Sequence, residues 1–225
     1  MLVCAHATIL STIPLGRRRA SDATFSDADA PGIQVCCDNI RMHGLRFLLL
    51  WAAAASGFGE VSGTLNLDGK SVDPFAEAAK VRVFIFVRTD CPVSNRYAPE
   101  LKRLSDEFAS RGAVFSMVYA DPHETSENIR QHTEQYRFPG GVILDPGHSL
   151  VRRSKATITP EAAVFSAEGK LLYHGRIDNR FVELGKAMAS PTRHDLEDSI
   201  AAALDDRPQP EASAPAIGCY LADVE

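Results

Sequence analysis

Two cysteines, Cys91 and Cys219, have the most chemical reach in this sequence, and the surroundings of the first are the more informative. Cys91 follows the β-branched and aromatic run Val81–Val87 and precedes an amphipathic stretch that begins at Pro92. It therefore falls where a strand ends and a helix starts. A helix start offers unpaired backbone N–H groups and the positive end of a dipole, and both favour a thiolate. Cysteines so placed have a lowered pKa and are nucleophilic. Arg88 and Arg96 add positive charge nearby, whereas Asp90 opposes a second negative charge. The competing reading is a structural cysteine that simply packs.

Three residues beyond Cys91 stands Ser94, so Cys91-Pro92-Val93-Ser94 closes no local disulfide. A serine hydroxyl there can still hydrogen-bond a thiolate. A second thiol must come from elsewhere, and Cys219 is the candidate. It lies beyond Arg207–Pro215, a stretch of proline and small residues that reads as extended and mobile. The residues between Arg207 and Cys219 span at most about 40 Å, against a radius of gyration of about 15 Å for the domain. Reach is therefore sufficient, and Ile217-Gly218-Cys219-Tyr220 is an apolar patch suited to docking. A frayed end with an incidental cysteine is the alternative.

The elements that must hold these residues follow from the apolar pattern. Val61–Phe75 reads as a short hairpin turning at Asp68-Gly69-Lys70, and Val81–Val87 as a strand. Ala98, Leu101, Leu104 and Phe108 recur at helical spacing, and Gly112 closes that helix. A strand Ala113–Tyr119, a helix through Ile129, His132 and Tyr136, a strand Val142–Leu144 and a brief helix around Leu150 follow. After Thr159-Pro160 come strands Ala162–Ser166 and Lys170–His174, then a helix near Asp195–Leu204. This order implies an α/β domain with a mixed central sheet flanked by helices.

The whole chain has 225 residues, a formal net charge of -5 and no basic stripe, which excludes nucleic acid as a partner. Residues 1–41 differ in character from the rest, with an Arg17-Arg18-Arg19 run and Cys4, Cys36 and Cys37. From Met42 a weakly basic start, the apolar run Phe47–Ala55 and the small pair Ser56-Gly57 read as a secretory signal. The run is shorter than the ~20 residues a membrane span needs, so no span is expected in the mature chain. The expected layout is a non-native or disordered extension at 1–41, a signal peptide at 42–59, a redox domain at 60–206 and a flexible tail at 207–225. Export, to the periplasm or beyond a bacterial cell, would leave Cys91 and Cys219 where disulfides persist.

The strand–Cys91–Pro92–helix junction, Thr159-Pro160 before a strand and the glycine-turned hairpin after it resemble the thioredoxin-like superfamily. The likeness is to its redoxin branch, with the peroxiredoxin-like proteins (alkyl hydroperoxide reductase and thiol-specific antioxidant), and covers about residues 61–206. It implies a thioredoxin-like fold, a redox role for Cys91, and a cis-proline loop at Thr159-Pro160 that faces Cys91 and offers backbone to a substrate segment. The leading expectation names no cofactor and no metal ligands.

The resemblance to peroxiredoxins is incomplete. Their proline and threonine or serine ahead of the cysteine are replaced by Phe84 and Arg88, and Thr89 is out of register. Peroxide activation needs donors aimed at the reacting oxygens, which only Arg176 or Arg96 is available to supply. Disulfide exchange needs an exposed thiolate, a leaving thiol and access. The leading expectation is thus a thiol–disulfide oxidoreductase with Cys91 as nucleophile and Cys219 as resolving thiol. Its partners would be a thiol or disulfide protein and an external reductant, or a small peroxide if it is a thiol peroxidase. A copper site from Cys91, His174 and Cys219, or a redox-inactive binding module, are the other readings. The segment His174–Arg180 is either a site-lining loop or a solvated one tied by Arg–Asp pairs. The remaining histidines, His123, His132, His148 and His194, are expected at the surface.

Overall fold

Alternating burial of Val81, Val83 and Ile85 on one side and Phe84 and Phe86 on the other makes β1 (Val81–Phe86) a strand covered on both faces. It is the centre of the sheet. In the computed structural model, which describes residues 63–210 and 215–221, β1 pairs in parallel with β2 (Ala113–Tyr119), and β2 in parallel with β3 (Gly141–Leu144). On its other side β1 pairs antiparallel with β5 (Glu161–Ser166), which pairs with β6 (Leu171–Gly175). The resulting order is β3-β2-β1-β5-β6. The strand readings from sequence agree with these elements to within a residue or so.

Helix α1 (Pro92–Ala109) buries Val93, Tyr97, Ala98, Leu101, Leu104 and Phe108. That stripe packs with Leu196 and Ile200 of α4 (Asp195–Leu204) on the Val83–Ile85 face of the sheet. Ile129 of α2 (Ser126–Tyr136) joins the same core. Leu150 and Val151 of α3 (Ser149–Ser154) cover the opposite face with Phe84, Phe86 and Phe165. This is the expected α/β architecture, a mixed sheet with helices on both faces. The hairpin expected over Val61–Phe75 shrinks to a single bridge, Leu65 with Ser71, around a turn held by the Asn66 side chain.

Two two-stranded pairs lie outside the main sheet and escaped sequence reading. One joins β4 (Ile158–Thr159) to β9 (Cys219–Tyr220), and the other joins β7 (Phe181–Glu183) to β8 (Lys186–Ala187). The expectations for residues 1–41 and 42–59 fall outside the described residues.

Buried polar side chains correct the reading of the histidines. His132 and His148 are buried rather than at the surface, while His123 and His194 are exposed as expected. His132 lies between Tyr119 Oη, 2.8 Å from its Nδ1, and Asn95 Oδ1, 2.6 Å from its Nε2, and so links α2, β2 and α1. Burial lowers its pKa, which keeps the ring neutral there. His148 Nε2 sits 2.9 Å from the carbonyl of Ala120. Buried polar groups need partners, and these two find theirs on neighbouring elements.

Arg82 is a second buried polar group, inside β1. Its guanidinium donates to the carbonyls of Ala167 (3.0 Å), Phe75 (2.9 Å) and Glu77 (2.6 Å), and more weakly to that of Ser166 (3.4 Å). It clamps the segment ahead of β1 to the β5–β6 turn.

Candidate active site

β1 hands over to α1 through Arg88, Thr89 and Asp90, and Cys91 takes the N-cap position of the helix with φ -88° and ψ 107°. Pro92 follows at the first helical position, where its missing N–H breaks no bond. The Cys91 side chain is fully buried, and its thiol donates to the carbonyl of Thr159 at 3.2 Å. The Thr159-Pro160 peptide is cis, as the resemblance implied.

The same threonine meets the second cysteine. β4 and β9 pair antiparallel with Ile158 opposite Tyr220 and Thr159 opposite Cys219. Leu221 N–H donates to Thr157 O at 3.0 Å, and Thr159 Oγ1 to Cys219 O at 3.3 Å. Gly218 lets the strands come this close. A Cβ built there would stand 1.9 Å from the Thr159 carbonyl oxygen, a contact no side chain tolerates. The carbonyl that receives the Cys91 thiol is thus also the one against which the tail is fitted.

The two thiols are shifted in opposite directions. Burial works against a charge on Cys91, but Ser94, through its hydroxyl and its N–H, and the neighbouring Cys219 favour the thiolate. Together they hold the Cys91 thiol below its ordinary pKa. Burial, hydrogen bonding to Cys91 and its charge push the Cys219 thiol up to about 11. Cys91 is therefore the sulfur suited to ionise, and Cys219 the one suited to remain a donor.

Arg88 has a larger role than a nearby charge. It grips Asp90 with two hydrogen bonds of 3.0 and 2.9 Å, and its Nη1 donates to Tyr220 O at 3.2 Å. The active-site loop and the tail strand are thereby joined. Asp90 is exposed and spent on Arg88. Sequence reading missed Glu124, whose Oε1 accepts from both the N–H (3.0 Å) and the hydroxyl (2.7 Å) of Thr89. Burial raises its pKa. No spacing signal connects it to Cys91, because the link is made only by folding.

Other expected site residues go elsewhere. Arg96 is exposed and lines a shallow cleft of about 260 Å³ with Pro92, Val93, Phe181 and Gly185. Arg176 binds Asp195 at 2.7 Å and so serves the contact with α4, not the cysteine. Within His174–Arg180, Asp178 is buried, accepts from Tyr97 Oη at 2.5 Å and faces Arg180. The Arg–Asp pairing of the plainer reading is therefore what forms. His174 stands 3.6 Å from Glu161. Among the described residues, Glu100, His194 and Glu197 converge as a possible ligand set, but Arg103 already bridges both glutamates.

A family model described as Redoxin matches residues 53–186, more than half of the sequence. The chain belongs to the Redoxin family. The match takes in Cys91 and Thr159-Pro160, while Cys219 lies beyond it. Two solved structures share this redoxin's fold. An uncharacterized conserved protein from Geobacillus kaustophilus is 24% identical, with a TM-score of 0.62 over 70% of this chain and 86% of its own. A hypothetical protein from Sinorhizobium meliloti 1021 is 21% identical, with a TM-score of 0.60 over 69% and 87%. No curated protein matches the sequence.

Proposed function

We propose that this redoxin is a thiol–disulfide oxidoreductase in which Cys91 is the nucleophile and Cys219 the resolving thiol. One observation carries the reading: the β4–β9 ladder seats Cys219 opposite Thr159, whose carbonyl bonds the Cys91 thiol. The opposite pKa shifts of the two sulfurs support the division of roles.

Cys91 thiolate attacks one sulfur of a partner disulfide. A mixed disulfide forms, and the other partner sulfur leaves as a thiolate that takes up a proton. Cys219 then gives up its proton and attacks Cys91 Sγ, forming the Cys91–Cys219 disulfide and expelling the second partner sulfur as a thiol. The partner gains two electrons and two protons, which the cysteine pair loses. An external dithiol resets the pair by the reverse exchange. Ser94 stabilises the thiolate on Cys91 at the start and when it leaves during reset.

We also infer export, from the signal-like segment Met42–Gly57. A mature N-terminus before Met42 in the exported protein would remove that inference.

The deciding experiment is non-reducing peptide mass mapping after oxidation by a small disulfide or by hydrogen peroxide. The expected product is a Cys91–Cys219 crosslink formed faster with the disulfide. A crosslink formed only by peroxide transfers the reading to a thiol peroxidase. A Cys91 that stays free with either oxidant overturns both.

A further inference from the structure

The reading above needs Cys219 to attack as a thiolate, yet in the reduced chain its pKa stands at about 11. Burial raises it most, the hydrogen bond and charge of Cys91 raise it further, Asp90 adds to them, and Arg88 opposes. Once Cys91 is bound in a mixed disulfide, its sulfur carries no charge and accepts only weakly. Burial, Asp90 and Arg88 then remain to decide when Cys219 ionises. Arg88 is well placed for this. Its Nη1 donates to Tyr220 O at 3.2 Å, the carbonyl of the residue after Cys219. Nε and Nη2 grip Asp90 at 3.0 and 2.9 Å, and Asp121 lies 4.0 Å from Nη2. The Arg88 side chain is 22% exposed and that of Asp90 66%, so water screens the carboxylate more than the guanidinium. Other charged groups around β9 are engaged elsewhere. Glu161 accepts from the N–H groups of Thr157 and Ile158 and has His174 3.6 Å away, while Glu124 holds Thr89.

We propose that Arg88 is a positioning residue for the resolving step, holding the tail strand at Tyr220 O and supplying positive charge for the attacking Cys219 sulfur, with Asp90 as its counterweight. This rests on the two-cysteine reading and adds the pair of residues that times its second half. While Cys91 is a thiolate, its charge keeps Cys219 protonated, so the two sulfurs do not compete for the partner disulfide. Attack by Cys91 removes that charge and leaves Arg88 opposed only by Asp90 and burial. Cys219 then loses its proton to water, and its thiolate attacks Cys91 Sγ. The Cys91–Cys219 bond forms, the mixed disulfide breaks, and the partner sulfur leaves as a thiolate that takes up a proton from water. The first step thereby switches on the second.

The test uses the full chain with Cys4, Cys36 and Cys37 changed to serine, so that Cys91 and Cys219 are its only thiols. Dithiodipyridine is the probe, and it carries no charge for Arg88 to attract. Attack by Cys91 releases one pyridinethione, and resolution by Cys219 releases a second. The rate of the second release is followed across pH in Arg88→Gln, Arg88→Lys and Asp90→Asn. Arg88→Gln should move the midpoint up. Asp90→Asn, which keeps an acceptor for Arg88, should move it down. Arg88→Lys, which keeps the charge, should stay nearer the parent than Arg88→Gln does. A scarcer thiolate is also more nucleophilic, so a tenfold loss of its population slows the step only about threefold, the change expected for Arg88→Gln at neutral pH. Asp90→Asn should quicken the step by less, because its carboxylate is the more screened. A purely structural role for the pair would slow both variants and leave the midpoint in place. Midpoints that stay fixed, or that move the same way in Arg88→Gln and Asp90→Asn, would overturn the proposal. In that case two pyridinethiones from the parent chain leave the two-cysteine cycle standing without Arg88. A single pyridinethione from the parent chain, with no Cys91–Cys219 crosslink, removes both.

Discussion

Ser94 Oγ is fully buried beside Cys91 and has no hydrogen-bond partner. An unsatisfied buried hydroxyl costs about 1–3 kcal/mol. Ionisation of Cys91 turns that cost into a charge-assisted bond, so the serine lowers the thiol pKa by being poorly served beforehand. Ser94→Ala should therefore raise the pH midpoint of Cys91 alkylation. The rate at neutral pH should fall roughly tenfold, the worth of one hydrogen bond to a charged group of ~1.5 kcal/mol. Iodoacetamide kinetics across pH measures this, and an unchanged midpoint would remove Ser94 from the account. That Cys91 heads a helix was legible from the apolar run before it and the stripe after it. That Arg88 ties Asp90 to Tyr220, and Glu124 holds Thr89, was not, because each partner arrives from a distant part of the chain.

Among the elements, two arginines show how burial decides what a contact is worth. Arg82 in β1 is buried and donates to four backbone carbonyls, while Arg103 on α1 is half exposed and bridges Glu100, Glu107 and Glu197. Removing Arg82 strands buried carbonyls, so Arg82→Met should destabilise the fold by about 3 kcal/mol or more in urea unfolding. Arg103→Ala should cost only ~1 kcal/mol, since exposed ion pairs are screened and carry an entropic cost. Equal losses would contradict this ranking. Legibility follows a similar division. β1, β2 and α1 are long enough to show a period. β4 and β9 have two residues each, and two residues have no period to read. The strand that completes the candidate site was invisible for that reason.

For the molecule as a whole, the thiol pair imposes a pH dependence on stability with a change of sign. Cys91 is depressed below the 9.0 of an ordinary thiol, so the folded chain binds fewer protons there than the unfolded one. Its contribution to stability grows as pH rises through that window and is lost as pH falls. Cys219 is raised to about 11, so its contribution is full below 9.0 and is lost between 9.0 and about 11. Thermal unfolding under reducing conditions should show Cys91→Ser removing the rise and Cys219→Ser removing the later fall. Unchanged profiles in both variants would mean that the thiols do not sense each other. The fold class, a global property, was legible because the order of strands and helices is written in long apolar runs. The burial of His132 and His148 was not, since a polar residue carries no local sign that another element will supply its partner.

Gly218 also has a genetic meaning. Glycine is the one amino acid without a Cβ, and a Cβ at this position meets the backbone oxygen of Thr159. Any missense change in that codon therefore falls on the approach of β9 to β4 while both cysteine codons stay intact. Such alleles would make a folded protein that keeps both cysteines but in which β9 no longer pairs with β4. A genetic screen scored only for the presence of Cys91 and Cys219 would count them as wild type.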